Sequence, residues 1–177
     1  MDCYVDADFA GLFGVEHPDD PACAKSRAGY VVFLGNCPVV WVSKLMHEIC
    51  LSTTESEYVA LSMAMRELIP LRRVVGKIAE TLGATHLLTT LHSNVYEDNN
   101  ACISQALSPR LTPRNRHYAT KLHFFKQHLD TPEQVVKGST SGITLKKIET
   151  AEQIADIFTK GLVGDIFAKL RKKLMGW

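Results

Sequence analysis

Alternation of apolar and polar positions over residues 3–8 predicts a short strand, on which Asp6 and Asp8 share one face. A polar loop follows through Gly11, His17, Pro18 and Pro21. Apolar runs at 28–34 and 38–43 flank Gly35-Asn36-Cys37, the pattern of an antiparallel hairpin. Ser52-Thr53-Thr54 ahead of Glu55 and Glu57 is a capping-box signature and opens a helix. Pro70 removes a helical donor, so the pattern predicts a helix to about residue 69 and a second piece over 71–82, ended by Gly83. Residues 91–97 read as a strand running into Asp98-Asn99-Asn100 and a short helix to about residue 107. Pro109 and Pro113 bracket a basic loop, and 117–129 is helical in pattern. Strand-like runs over 135–148 are broken by an exposed turn at 138–142. Thr150 with Gln153 predicts a second capping box and a helix to Thr159. After Gly161 and Gly164 comes a last amphipathic helix with Ile166, Phe167, Leu170 and Leu174 on one face. The order βββαβααβαα implies a mixed sheet with helices on its faces.

The 177 residues are 46% hydrophobic, which suits one compact α/β domain, expected over 1–162 with 163–177 as its amphipathic helical extension. Lys and Arg number 20 against 19 Asp and Glu, so no global basicity announces a nucleic-acid partner. Distribution is more informative. From Asn99 to Leu129 there is no acidic residue, while Arg110, Arg114, Arg116, Lys121, Lys126 and three histidines accumulate. A locally basic arm of this kind binds phosphate or is simply solvated. The five cysteines form no CxxC and have no histidine at ligand spacing, which reads as small buried hydrophobes in a reducing compartment. No apolar run approaches a membrane span, and MDCYVDADF is not a signal peptide. The expectation is an intracellular soluble protein, not secreted, or a piece cut from a longer one. A start directly on a strand favours the piece.

Four carboxylates, Asp6, Glu57, Asp98 and Asp156, lie at the ends of different elements. Converging acids from separate elements are what a two-metal phosphodiester hydrolase requires. Glu57 falls on the helical stripe of Leu61, Ala64 and Leu68, where an unpaired carboxylate is costly. Glu55 shares its stripe with Val59, Ser62 and Arg66, a wetter face. An ordinary first-turn role remains open for Glu57. Asp98 closes a strand just before a helix, as a functional group or as that helix's cap. Asp156 lies at i,i+4 from Lys160, so a plain salt bridge is a rival reading there. Trp41, Tyr30, Met63 and Met65 read as core or sheet-face residues, and the run Lys169, Arg171, Lys172 and Lys173 as a solvated helix face.

Ordered blocks along the chain resemble the ribonuclease H domain at the C-terminal end of copia-type LTR-retrotransposon polyproteins. They are Asp6-Ala7-Asp8-Phe9-Ala10-Gly11, Lys25-Ser26-Arg27-Ala28-Gly29-Tyr30, Leu51 to Leu61, Glu97-Asp98-Asn99-Asn100, Arg114-Asn115-Arg116-His117 with His123-Phe124, and Ala155 to Lys160. The resemblance implies a ribonuclease H-like α/β fold, a five-stranded mixed sheet with its first three strands antiparallel, flanked by helices. It also implies that Asp6, Glu57, Asp98 and Asp156 hold two Mg²⁺ ions, with Mn²⁺ as a substitute, about 4 Å apart across the scissile phosphate. The implied substrate is the RNA strand of an RNA–DNA hybrid, told apart through its 2′-hydroxyls. Arg114, Arg116, His117 and Lys121 are candidate backbone contacts. The reverse transcriptase domain of the same polyprotein is the implied neighbour, in cytoplasmic virus-like particles. Lys146-Lys147-Ile148-Glu149-Thr150 stands where many cellular ribonucleases H carry a mobile histidine loop, so no histidine is assigned to proton transfer.

The alternatives are a catalytically silent nucleic-acid-binding or polymerase-docking module of the same fold, and an integrase-like enzyme. The second carries its Glu last, on a late helix, whereas here Glu57 comes second.

Overall fold

A computed structural model describes residues 1–17, 19–84, 86, 91–108, 124–137 and 142–177. Its centre is a five-stranded sheet in the order β3-β2-β1-β4-β5, built from β1 (Asp2–Asp8), β2 (Arg27–Leu34), β3 (Cys37–Leu45), β4 (Ser93–Glu97) and β5 (Ile143–Lys147). The first three strands are antiparallel neighbours, as the hairpin pattern implies, and β4 and β5 run parallel to β1. Parallel strands end on the same side, so the carboxyl ends of β1 and β4 come to one edge with their acidic residues. Val5, Val32, Tyr30 and Val95 form a core with helix α1 (Thr53–Thr81). Val31 and Phe33 face the other way, towards Ile154, Phe158 and Leu174.

Helix α1 runs unbroken for 29 residues through Pro70, against the expected break. Pro70 lies on the exposed side, where water can reach the carbonyl that loses its donor. Leu61, Met65, Leu68 and Ile69 bury the helix before it. Beyond it, the Arg72 guanidinium donates to the carbonyls of Gly142 (2.6 Å) and Leu91 (3.3 Å). Long-range anchoring on both sides thus offsets a local penalty that the residue pattern alone shows.

The later elements depart from expectation in three further places. Val135 and Val136 belong to α3 (Pro132–Val136), a helix opened by a capping box between Thr131 and Gln134, and not to a strand. Thr150 opens only a 3-10 turn, Thr150–Glu152, and caps nothing with its side chain. Its hydroxyl goes to Asp98, and buried Gln153 donates to the carbonyls of Val5 (2.8 Å) and Tyr96 (3.4 Å), tying this segment to β1 and β4. Helix α4 is therefore short, Asp156–Thr159. In α5 (Gly164–Met175) only Leu170 of the expected apolar face is fully buried, while Ile166 and Phe167 are exposed. The expected helix 117–129 lies largely outside the described residues, although 124–126 are helical. Tyr30 is core, whereas Trp41 is 61% exposed on edge strand β3. Lys169 and Lys173 pair with Glu152. Among the described residues no helix is long and apolar enough to cross a membrane.

Candidate metal centre

Asp6 alternates with Val5 and Ala7 on β1, which turns it away from the main core and towards α4. It is 1% exposed. Glu57, in the second turn of α1 and 4% exposed, approaches from the opposite layer. The helix begins where it does because the Ser52 hydroxyl accepts the Glu55 amide and the Glu55 carboxylate accepts the Leu51 amide (2.9 Å). Glu55 thereby satisfies the helix start and Glu57 is left unneeded for it. Val59 and Ser62 are buried as well, so the stripe of Glu55 is wet only from Arg66 onward, a correction to the expected face.

Asp98 follows β4 directly. It does not cap the next helix, α2 (Asn100–Leu107): the Asn99 side chain does, accepting the Cys102 amide at 3.0 Å. The Asp98 carboxylate is held instead by the Thr150 hydroxyl, which donates to Oδ2 at 2.7 Å, while Lys147 donates to its main-chain carbonyl. One carboxylate oxygen each from Asp6, Glu57 and Asp98 lies within 4.8 Å of the others, the arrangement a single cation can bridge. Asp8 is not part of that group.

Asp156 enters from α4. Its expected i,i+4 bridge forms, with Lys160 Nζ 2.9 Å from Asp156 Oδ1, but the same ammonium also lies 3.1 Å from Asp6 Oδ1. The Thr159 hydroxyl donates to Asp6 Oδ2. Gly29 permits this approach. It pairs with Asp6 across the β1–β2 ladder, and a Cβ there would stand 2.6 Å from Thr159 Cγ2, 2.9 Å from Phe158 Cβ and 3.1 Å from the Ala155 carbonyl oxygen.

Electrostatically the cluster is under strain. Burial, then the neighbouring charges of Glu97, Asp6 and Asp98, hold the Glu57 carboxyl well above the ordinary carboxylate range. Glu97 is fully buried and is likewise pushed up, chiefly by burial. Among the described residues, Oε2 of each has no hydrogen-bond partner within ordinary oxygen or nitrogen donor range. Asp156 is raised to about 6 by burial and by Asp6, against the opposing effect of Lys160. Orphaned, crowded carboxylate oxygens are costly unless a proton or cation compensates. The donor set, all carboxylate oxygens, suits a hard divalent cation such as Mg²⁺. The residues present therefore fit the metal that the resemblance implies. Glu97 was not singled out from the sequence. Its period-two alternation with Ser93 and Val95, which puts it on the core face, is the signal that could have found it.

Each raised carboxyl holds its proton more tightly folded than unfolded. Between the unfolded and folded values the folded state carries more protons, so stability falls as pH rises. In EDTA, the stabilisation is expected to be complete below about pH 4 and to decline through about 6 for Asp156, with Glu57 extending the decline to higher pH. Urea midpoints at pH 4.5 and pH 8 would measure it. An equal or higher midpoint at pH 8 would remove this electrostatic account.

Of the sequence-derived site residues, Asp6, Glu57 and Asp98 meet directly, and Asp156 joins them through Lys160. Arg114, Arg116, His117 and Lys121 lie outside the described residues.

A five-stranded mixed sheet with acids gathered at its carboxyl edge defines the ribonuclease H fold. LC11-RNase H1, isolated from compost by a metagenomic approach, superimposes with a TM-score of 0.54 at 14% identity, over 89% of this chain and 91% of that one. Among the curated proteins similar to this chain are retrovirus-related Pol polyproteins from transposons. The polyprotein from transposon TNT 1-94 of Nicotiana tabacum is 28% identical over 176 residues, covering 98% of this chain and 11% of the polyprotein. That from transposon RE1 of Arabidopsis thaliana is 28% identical over 174 residues, covering 98% and 10%. The chain thus spans about a tenth of the length of the curated relatives it matches. No protein-family model matches it. The fold of the chain is thus that of the ribonucleases H.

Proposed function

We propose that this chain is the ribonuclease H domain of a copia-type LTR-retrotransposon polyprotein and hydrolyses the RNA strand of RNA–DNA hybrids. The observation that carries the reading is the convergence of Asp6, Glu57 and Asp98, from β1, α1 and the end of β4, to within 4.8 Å. Asp6 and Asp98 would be donors to both of two Mg²⁺ ions, with Glu57 completing one side and Asp156 the other; Mn²⁺ would serve in their place. Such ions supply Lewis-acid stabilisation on the two sides of a scissile phosphate. The chain's own groups orient the donors. Thr159 directs Asp6, Thr150 directs Asp98, and Asn99 takes over the capping of α2 so that Asp98 remains available. Deep burial of Glu57 and Glu97 keeps bulk water from the inner wall.

A labelled RNA–DNA hybrid incubated with the full chain and Mg²⁺ or Mn²⁺ is expected to yield 5′-phosphorylated RNA fragments, and EDTA to stop the reaction. Absence of product with either metal would favour the silent binding module. In the same reading the reverse transcriptase domain of the parent polyprotein is the neighbour and a cytoplasmic virus-like particle the setting. Arg114 and Arg116 contact the hybrid backbone in this scheme. Replacing both with Ala is expected to weaken hybrid binding and to make the slope of log affinity against log salt shallower by about two. An unchanged slope would take them off the interface.

A further inference from the structure

Lys160 is the cation already at the site. Its ammonium touches one oxygen of Asp6 and one of Asp156, at 3.1 and 2.9 Å. Those two acids come from β1 and α4, and together with Asp98 they are the donors to which the two-ion reading assigns the second metal. An ammonium and a divalent ion cannot occupy the same oxygens: both need them at short range, and two cations so close repel. The side chain has somewhere else to go. Lys160 ends α4 in extended conformation (φ −120°, ψ 149°) and its side chain is 35% exposed. It also lines a cleft of about 410 Å³ together with Asp8, Gly11, Lys25, Arg27 and Phe158. Its four-carbon stem lets the charged end swing away without movement of the helix.

We infer that Lys160 is a built-in counter-cation that bridges Asp6 and Asp156 in the metal-free protein and must leave them before the second divalent ion binds. It thereby sets the metal concentration at which that site fills. This rests on the proposed two-metal reading. It gives Lys160 a positioning role through the two acids and requires no contact with substrate.

The test is Mn²⁺ binding to the full chain by calorimetry and by electron paramagnetic resonance, without substrate. Wild type is expected to bind one ion more tightly than the other. Lys160→Met should tighten the weaker ion by about tenfold or more by removing the competitor, while Lys160→Arg should not. Without metal, Lys160→Met should melt below wild type at pH 8, and the gap should close at saturating Mn²⁺. Lys160→Gln, which keeps a hydrogen-bond donor, stands in if Lys160→Met does not fold. An unchanged or weakened second ion in both neutral variants would overturn the inference. So would unchanged Mn²⁺ binding with loss of cleavage, which would send Lys160 to the substrate instead. Failure of wild type to bind any divalent ion would instead strike the nuclease reading itself.

Discussion

Asp98→Asn is expected to lower Mg²⁺-dependent cleavage of an RNA–DNA hybrid by about a thousandfold or more, with hybrid affinity nearly unchanged. Shape is preserved: the Asn carbonyl can still accept the Thr150 hydroxyl that now donates to Asp98 Oδ2 at 2.7 Å. Charge is not. The substitution removes one of three carboxylates whose oxygens lie within 4.8 Å, and an amide is a poor ligand for Mg²⁺. Relief of repulsion from Glu57 and Glu97 should leave the metal-free variant at least as stable as wild type. Cleavage rate, hybrid dissociation constant and melting temperature in EDTA must therefore be read on the same preparation. Joint loss of folding and binding would make Asp98 structural. Full cleavage by the variant would remove it from the centre.

Gly29→Ala should have the second largest effect, without touching any charged group. The new methyl meets Thr159 Cγ2, Phe158 Cβ and the main-chain oxygen of Ala155. A methyl can turn aside, but a helix carbonyl cannot, so α4 must withdraw from β2. Overpacking of this kind typically costs about 1–3 kcal/mol. Cleavage should suffer more than stability, because α4 carries Asp156, Thr159 and Lys160 to Asp6. Thr159→Ser deletes the methyl and keeps the hydroxyl, so the double variant should recover part of the lost stability. Strict additivity in that cycle would mean that the two residues do not collide.

Much of the scaffold was legible in the residue pattern. Period-two alternation and the Gly35-Asn36 turn announced β1 to β3, and the stripe Glu57, Leu61, Ala64 and Leu68 announced the buried face of α1, which the structure bears out. Errors gathered where distant contacts overrule local preference. Pro70 is carried by packing and by Arg72, Thr150 caps nothing because Asp98 claims its hydroxyl, and Gln153 bridges two strands instead of starting a helix.

For the centre itself, residue types and order alone nominated Asp6, Glu57, Asp98 and Asp156, and the apolar company of Glu57 said that its charge needed compensation. Only the tertiary structure decided that three of these acids meet, that the charge of Glu97 bears on Glu57, and that Lys160 spans Asp6 and Asp156. The reason is physical. Hydrophobic periodicity reports which side of an element is buried, whereas distances between charges on separate elements depend on how closely the layers pack. At this site that spacing turns on the missing side chain of Gly29.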